Sequence, residues 1–479
     1  MARFTPRNVS RLLQRPTGRA LIGTLVGNIP GFLLPFAIVA RMHAGQLTDA
    51  YSFALGIAMF TSALFVTVLQ MNVLPILQRM KRLGRMAFLG RIRRIAIHAT
   101  GAAALSYGAL GAGAIIYIDG QSHWTEQQHR LLLVTMAVLA IFVLASAVNS
   151  VLSAGLNALD SFLSPAASQA LKSILPLAAV GFVSPRPDGL IVIAALVAGG
   201  ELVRTCVLIP QLRHASLSLS PAPAPPGYAS YLSLWRVAAP SGVALLISGA
   251  SPLIDRGVAA SLRPGSVTLI DLGEKVLQVP VTIISTSLVL VAGTHWANML
   301  TSDIPALRRS FRQTLIRGGV VCAWLLLAMT VALGVIGAFA GNTLVGAPTG
   351  RLLAIVALLL AGLPGAFLIT AGARLLTATR SSYLLPGFGL CAFVTNLVFD
   401  IAGARAFGVE GIALSSTLYR YVNGALFLIV IQRLMKTGFN GLDLPGPFRG
   451  RSRLAKSATI RTFSRVARSD ASAKVTRTS

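Results

Sequence analysis

Acidic residues are scarce in this chain: 14 Asp and Glu stand against 42 Lys and Arg in 479 residues, and charged residues together make up 12%. A soluble domain carries roughly 25% charged residues, so the polar cover of a globular surface is missing. Cysteine is sparse as well. Cys206, Cys322 and Cys391 lie far apart inside apolar runs with no Cys-x-x-Cys pair, which leaves buried, inert thiols as the expectation. The six histidines are scattered without a His-Glu-x-x-His or comparable spacing, so neither a metal site nor a cofactor is expected. Nucleic-acid binding would need an exposed basic face with stacking aromatics, whereas these bases fall in loops between apolar runs.

What the chain has in quantity is apolar sequence. Hydrophobic residues make up 54%, and mean hydropathy is +0.72. The bilayer is the natural solvent for such a chain. At about 20 apolar residues per span, about twelve segments emerge, at roughly 20–40, 50–75, 95–118, 131–155, 165–183, 189–210, 237–262, 266–292, 318–340, 351–371, 381–402 and 410–432. The reading is an all-α, multi-pass integral membrane protein. Several spans contain Gly and Pro, which membrane helices tolerate where neighbours or a cavity satisfy the freed backbone groups.

The bases set the orientation. Arg3, Arg7, Arg11, Arg15 and Arg19 precede segment one, and RMKRLGRMAFLGRIRR follows segment two. Arg308, Arg309, Arg312 and Arg317 follow segment eight, and Arg374 and Arg380 follow segment ten. With alternating spans these all fall on one side, while the opposite loops, DGQSHWTEQQHR and SPRPDG, hold one base each. The positive-inside rule then puts both termini in the cytoplasm. The N-terminal arginines recur every four residues, a stripe suited to anionic lipid headgroups, with a cleaved organellar transit peptide as the compositional rival.

Residues 213–236, RHASLSLSPAPAPPGYASYLSLWR, read as a Pro/Ala tether ending in an interfacial helix, and they divide the spans six and six. The halves echo each other: VARMHAGQLT at 39–48 aligns with AASLRPGSVT at 259–268, and LNALDSFLSP at 156–165 with LTATRSSYLLP at 376–386. The expected organisation is a basic segment 1–19, a six-helix bundle 20–212, the linker 213–236, a second six-helix bundle 237–435 and a basic, disordered tail 436–479. The two bundles are expected to be pseudo-symmetric about an axis along the membrane normal and to enclose a central cavity.

Charge reappears inside the membrane in SPLIDRGVAASLRPGSVTLIDLGEKVLQVP, residues 251–280. At 1.5 Å per residue, Arg256 lies about 9 Å below the outer end of segment seven and Lys275 about 13 Å down segment eight. An ionised group there costs at least about 2.5–3.5 kcal/mol unless paired or hydrated. Arg256 and Lys275 are therefore read as facing a wet cavity, where they suit an anionic, phosphate-bearing substrate, with interhelical ion pairs that hold the bundle together as the alternative. Asp271 and Lys275, four apart, are spaced to pair on one helical face. Asp255 and Arg256 point to different faces, and each calls for a partner on another segment. Glu201 and Arg204, three apart on segment six, read as an ion pair holding the bundle together. Alternatively, with Asp271 and Glu274, they form an ion-coupling site. Asp400 and Arg420 are further candidates near the C-terminal spans, and Asp49 lies near the outer end of segment two.

AIVARMHAGQLTDAYSFALGI, running on to QMNVLPIL, resembles the opening of the MurJ/MviN lipid II flippases, with their AxxxGxGxxTDAF pattern and VPIL-like end to the second helix. LIDRGVAASLRPGSVTLIDLGEKVLQVP resembles their seventh and eighth helices, and GLNALDSFLSPA their fourth-to-fifth junction. The likeness spans most of residues 20–435. The wider group is the multidrug/oligosaccharidyl-lipid/polysaccharide (MOP) exporter superfamily, which alternates between inward- and outward-open states. The resemblance implies that Asp49 is the functional acid of the second helix and that Asp255 and Arg256 are the Asp-Arg pair of the seventh. Lys275 then stands at the basic position of the eighth. These four are the implied substrate-binding set. The chain departs from the family where the first helix has Asn28 and Leu34-Pro35 instead of an arginine-bearing stretch. Apolar sequence around Val66 also replaces an acid, and two further C-terminal helices are not seen.

The implied function is a non-enzymatic flippase in a bacterial cytoplasmic (inner) membrane. It would carry a polyprenyl-diphosphate-linked glycan, either lipid II or an exopolysaccharide repeat unit, to the periplasmic leaflet. The rivals are a cation-coupled multidrug exporter, a non-transporting scaffold for polysaccharide assembly proteins, and a membrane glycosyltransferase or polymerase. The last would need large extramembrane loops, which the chain lacks.

Overall fold

The computed structural model describes residues 16–81, 84–121, 123–220, 250–289, 304–339, 347–379 and 384–436, with isolated residues between them. Arg3 to Arg15, the tether and interfacial helix at 221–240, and the tail from 437 lie outside the described residues. Contacts cluster into one unit over Met1–Ile429 and another over Val430–Ser479. In the second, Val430 to Lys436 are helical. All packing below belongs to the first.

The N-terminal half contains α1 (Pro16–Met42), α2 (Gln46–Met80), α3 (Arg85–Asp119) and α4 (Glu126–Ala158). It continues with α5 (Leu163–Ala167), a 3-10 turn (Ser168–Ala170), α6 (Leu171–Ala179) and α7 (Pro187–Ala215). The C-terminal half contains α8 (Ser251–Ala260), α9 (Ser266–Ile284), α10 (Ile304–Phe339) and a two-stranded turn pairing β1 (Thr343–Leu344) with β2 (Ala347–Pro348). It ends with α11 (Thr349–Ala361), α12 (Leu363–Ala378), α13 (Leu385–Phe407) and α14 (Val409–Lys436). Among the described residues, eight helices are long and apolar enough to cross a membrane, and Val26–Met42 is a shorter apolar one.

Several boundaries differ from the sequence expectation. The bases of Arg85 to Arg94 and of Arg308 to Arg317 lie on α3 and α10, not in loops, because arginine is a good helix former and its head group reaches past the helix end to water. α7 runs past the expected linker start at 213, to Ala215 and a 3-10 turn Ser216–Ser218. Segment five is interrupted by its 3-10 turn, and segment ten is divided between α11 and α12. Cys322 is buried as expected, but Cys206 and Cys391 are exposed. An apolar run in a membrane helix fits the lipid face as well as the interior, so hydropathy alone does not separate the two.

In the N-terminal half α4 packs on α2, α3 and α7, and α1 lies on α5 and α6. In the other half α9 packs on α11, α8 on α13, and α10 on α11 and α12. The halves meet where α2 touches α8 and α9, and where α1 touches α9. Small residues let the backbones approach. Gly27 sits against the Ala166 carbonyl, and Gly200 against the Leu171–Lys172 backbone, the mode of packing that replaces a hydrophobic driving force in lipid. Outward faces carry Leu105, Ile116, Trp324 and Phe339, all well exposed.

The internal echo is structural as well. The Asp49 amide donates to the Gly45 carbonyl at 3.0 Å, and the Leu269 amide to the Gly265 carbonyl at 3.0 Å. The Ser161 amide donates to the Leu156 carbonyl at 2.9 Å, and the Ser381 amide to the Leu376 carbonyl at 2.8 Å. Equivalent residues in the two halves thus close equivalent turns.

Candidate functional site

The α8–α9 hairpin exposes carbonyls at the end of α8 and amides at the start of α9, groups that a helix cannot satisfy internally. Side chains of the N-terminal half take both sets. The Asp49 carboxylate accepts from the Gly265 amide at 2.6 Å, the Thr268 amide at 2.9 Å and the Thr268 hydroxyl at 2.7 Å. It accepts from the free amides at the start of a helix in the other half, whose N-cap residue is Gly265, and is placed where the helix dipole favours an anion. Gly265 holds φ 91, a left-handed conformation natural to glycine. On the other arm, Trp124 Nε1 donates to the Ala260 carbonyl at 3.0 Å, and His123 Nε2 lies 2.8 Å from the same oxygen. The Tyr117 hydroxyl donates to the Gly257 carbonyl at 2.9 Å. A capping box formed by Thr125 and Gln128 starts α4 directly after Trp124 and so sets where this loop stands. Together these contacts form a latch between the halves.

Below the latch, a small recess between α1, α2 and α9 is lined by Pro35, Tyr51, Thr268 and Asp271 among others. Next to it lies a buried charge cluster. Arg256 Nη2 is 2.5 Å from Asp271 and 3.2 Å from Glu274, and Nη1 donates to the Pro252 carbonyl at 3.2 Å. Its aliphatic stem lies over Gly56 of α2, where an added Cβ would come 2.7 Å from Arg256 Cδ. Asp255 accepts from Asn396 Nδ2 at 2.7 Å and from the Ser416 hydroxyl. Asn396 also donates to Asp400 at 3.0 Å. Asp400 Oδ1 and Arg420 Nη1 are buried without hydrogen-bond partners. Four acids here face two arginines, so ionising all of them leaves negative charge in surplus, which burial disfavours.

A second cluster belongs to the N-terminal half. Glu201, fully buried, accepts from Arg204 at 2.8 Å and from Asn149 at 2.9 Å. Arg204 also donates to the Ser168 hydroxyl at 3.2 Å and the Pro165 carbonyl at 3.4 Å. These are groups around the 3-10 interruption, so the pair stitches a broken helix to α7. Lys172, at the start of α6, stands beside this cluster and within electrostatic reach of Lys275.

Placed against the sequence reading, Asp255 and Arg256 do find separate partners on other segments, as their opposite faces require. The pairing of Asp271 with Lys275 is not made. Asp271 takes Arg256 instead, because the guanidinium offers a charge-assisted hydrogen bond across the hairpin that an ammonium four residues away does not reach. Arg256 is thus held by carboxylates, whereas Lys275, half-buried, has no hydrogen bond or ion pair among the described residues. Asp49, near the outer end of α2, is buried at 5% exposure. Asn396, Ser416, Trp124 and Lys172 escaped the sequence reading. For Lys172 the signal was present, a base inside the apolar run SQALKSILPLAAV. The polar residues at 396 and 416 are individually ordinary. Among the described residues, no group of three or more His, Cys, Asp or Glu is placed to hold a metal ion.

The fold has solved counterparts. The structure of the lipid II flippase MurJ in an inward closed conformation superposes with a TM-score of 0.63 at 15% identity, covering 86% of this chain and 87% of that one. An outward-facing multidrug resistance MATE family transporter of the MOP superfamily gives 0.60 at 13%, covering 91% and 100%. A MOP superfamily transporter from Pyrococcus furiosus gives 0.62 at 12%, covering 91% and 100%. No curated protein matches the sequence. The family model described as "Lipid II flippase MurJ" matches residues 38–444, a stretch that contains the latch, both charge clusters and the α8–α9 hairpin. The chain therefore belongs to the MurJ family, with the all-α membrane fold of MOP superfamily transporters.

Proposed function

We propose that this protein carries a polyprenyl-diphosphate-linked glycan from the cytoplasmic to the periplasmic leaflet of a bacterial inner membrane by alternating access. The latch faces the periplasm and both termini face the cytoplasm. The moving bodies are the bundles at 20–212 and 237–435. The observation that carries this reading is the chemistry of the latch: Asp49 on the free amides of α9, and ring and hydroxyl donors on the free carbonyls of α8. Water solvates all of these groups well, so the seam opens without stranding a charge in lipid. The diphosphate engages Lys275 first and then Arg256, which exchanges Asp271 and Glu274 for phosphate oxygens. The surplus acids around Asp255 and Asp400 take up a proton or a monovalent cation as this exchange occurs, and a gradient of that ion biases the cycle. The altered first helix, with Asn28, Leu34 and Pro35, favours an exopolysaccharide repeat unit over lipid II.

The test is expression in bacteria depleted of their own lipid II flippase, scoring growth and lipid II at the outer face, with Arg256→Ala and Lys275→Ala at matched expression. Rescue that both substitutions abolish identifies lipid II. Without rescue, deletion of the native gene should remove a surface polymer while growth continues. A cation-coupled drug exporter shares the acid surplus. The same strains exporting a cationic dye, with cell envelope polymers intact, would replace the flippase reading.

A further inference from the structure

Lys172 and Lys275 differ from the two arginines nearest to them, Arg204 and Arg256. Arg204 and Arg256 are both paired to carboxylates, whereas neither lysine has a hydrogen bond or ion pair among the described residues. One belongs to each half. Lys172 is nine residues from the start of α5 and Lys275 nine from the start of α9, so each lies about 13 Å along its segment, near mid-membrane. They lie within electrostatic reach of one another, with Glu201 acting on Lys172 more strongly than Lys275 does, and α1, which packs on both α6 and α9, runs between their helices. The acids that would ordinarily neutralise them are engaged elsewhere: Asp271 by Arg256, and Glu201 by Arg204 and Asn149. Two half-buried ammonium groups of like charge are unfavourable to each other unless a multivalent anion lies between them.

We propose that Lys172 is the N-terminal half's substrate cation, and that Lys172 and Lys275 together hold a diphosphate between the two bundles. The inference rests on the flippase reading and names a residue that the α8–α9 resemblance does not contain. Two ammonium groups on flexible stems, each with three rotatable donors, follow a diphosphate through a change of conformation better than a fixed guanidinium fork does. Because one lysine belongs to each half, the anion cross-links the halves when bound, and its release frees them. The rival role for Lys172 is structural, as a partner to Glu201, whose Oε2 is buried without a hydrogen bond.

The experiment is a binding titration of the purified full chain in lipid nanodiscs with farnesyl diphosphate, farnesyl monophosphate, inorganic pyrophosphate and phosphatidylglycerol as separate probes. Lys172→Met, Lys172→Arg and Lys275→Met are compared with the unsubstituted protein, and ligand-free melting midpoints are recorded. Farnesyl diphosphate is expected to bind more tightly than the monophosphate or the phospholipid. Each Met variant should lose about tenfold or more in affinity, while Lys172→Arg stays within a few-fold. Ligand-free midpoints should hold or rise, since removing one of two repelling charges relieves the empty state. Pyrophosphate binding that matches farnesyl diphosphate would still place the anion on the lysines, with the prenyl chain contributing little. Unchanged affinity in Lys172→Met, with loss in Lys275→Met, overturns the inference and leaves the flippase reading standing. So does a lowered ligand-free midpoint in Lys172→Met matching that of Glu201→Gln, which assigns Lys172 to Glu201. No prenyl-diphosphate binding by the unsubstituted protein overturns both.

Discussion

Asp49 holds three donors of the opposite half with one carboxylate, so single-residue changes should act on conformation more than on folding. Replacing a side-chain acceptor of a helix's first amides by Ala costs about 0.5–2 kcal/mol, and Asp49→Ala should shift the balance toward the open seam by roughly two- to thirtyfold. A cysteine placed by Ser266→Cys, at a position 5% exposed, reports this as faster labelling by an impermeant maleimide. Asp49→Asn keeps an acceptor and should fall between. Gly265 is the other sensitive point. At φ 91 a β-carbon is strained, and Gly265→Ala should cost about 1–2 kcal/mol, read as a lower melting midpoint with the same fold by circular dichroism.

At the scale of elements, the broken segment five depends on a side chain from α7. Arg204→Met removes the donor to Ser168 and Pro165 and leaves Glu201 as an unpaired buried charge, a loss of about 3–5 kcal/mol. The double variant Glu201→Leu/Arg204→Met should lose less than Arg204→Met alone in thermal unfolding in detergent, because the stranded charge is gone. An additive double variant would show that the pair does not act as a unit. This arrangement marks the limit of what the sequence discloses. Hydropathy locates the spans, and the three-residue spacing of Glu201 and Arg204 announces their pair. Neither reveals that Arg204 is needed because Ser168–Ala170 leaves the α-helix. The same holds across the hairpin. Asp271 and Lys275 share a helical face, yet Arg256, fifteen residues away from Asp271, wins the carboxylate once α8 folds back along α9. Local periodicity reads contacts within a helix well. It is silent on which helix end an acid such as Asp49 will cap.

For the whole molecule, the meeting of the halves at 43–45 and 261–265 offers a direct test of alternating access. A β-carbon built on Gly265 would lie 3.7 Å from the Ala44 Cβ, within the range of a disulfide. Ala44→Cys/Gly265→Cys, in a background freed of Cys206, Cys322 and Cys391, should lock the seam under oxidation and stop transport, with recovery on reduction. Continued transport by the fully cross-linked protein would mean that this end does not open.

The latch is one-sided although the turns it is built on repeat in the two halves. The position equivalent to Asp49 in the second half is Leu269, since their amides close matching turns on Gly45 and Gly265. Thr48, the counterpart of Thr268, turns its hydroxyl back onto the His43 and Gly45 carbonyls of its own loop. A symmetric dimer of identical six-helix units would make this contact twice, each copy serving as key and as keyhole. Here the N-terminal half holds the key and the C-terminal half the keyhole. Among the described residues the fastening is single-copy and directional, with no second instance of it to hold the seam when Asp49 lets go.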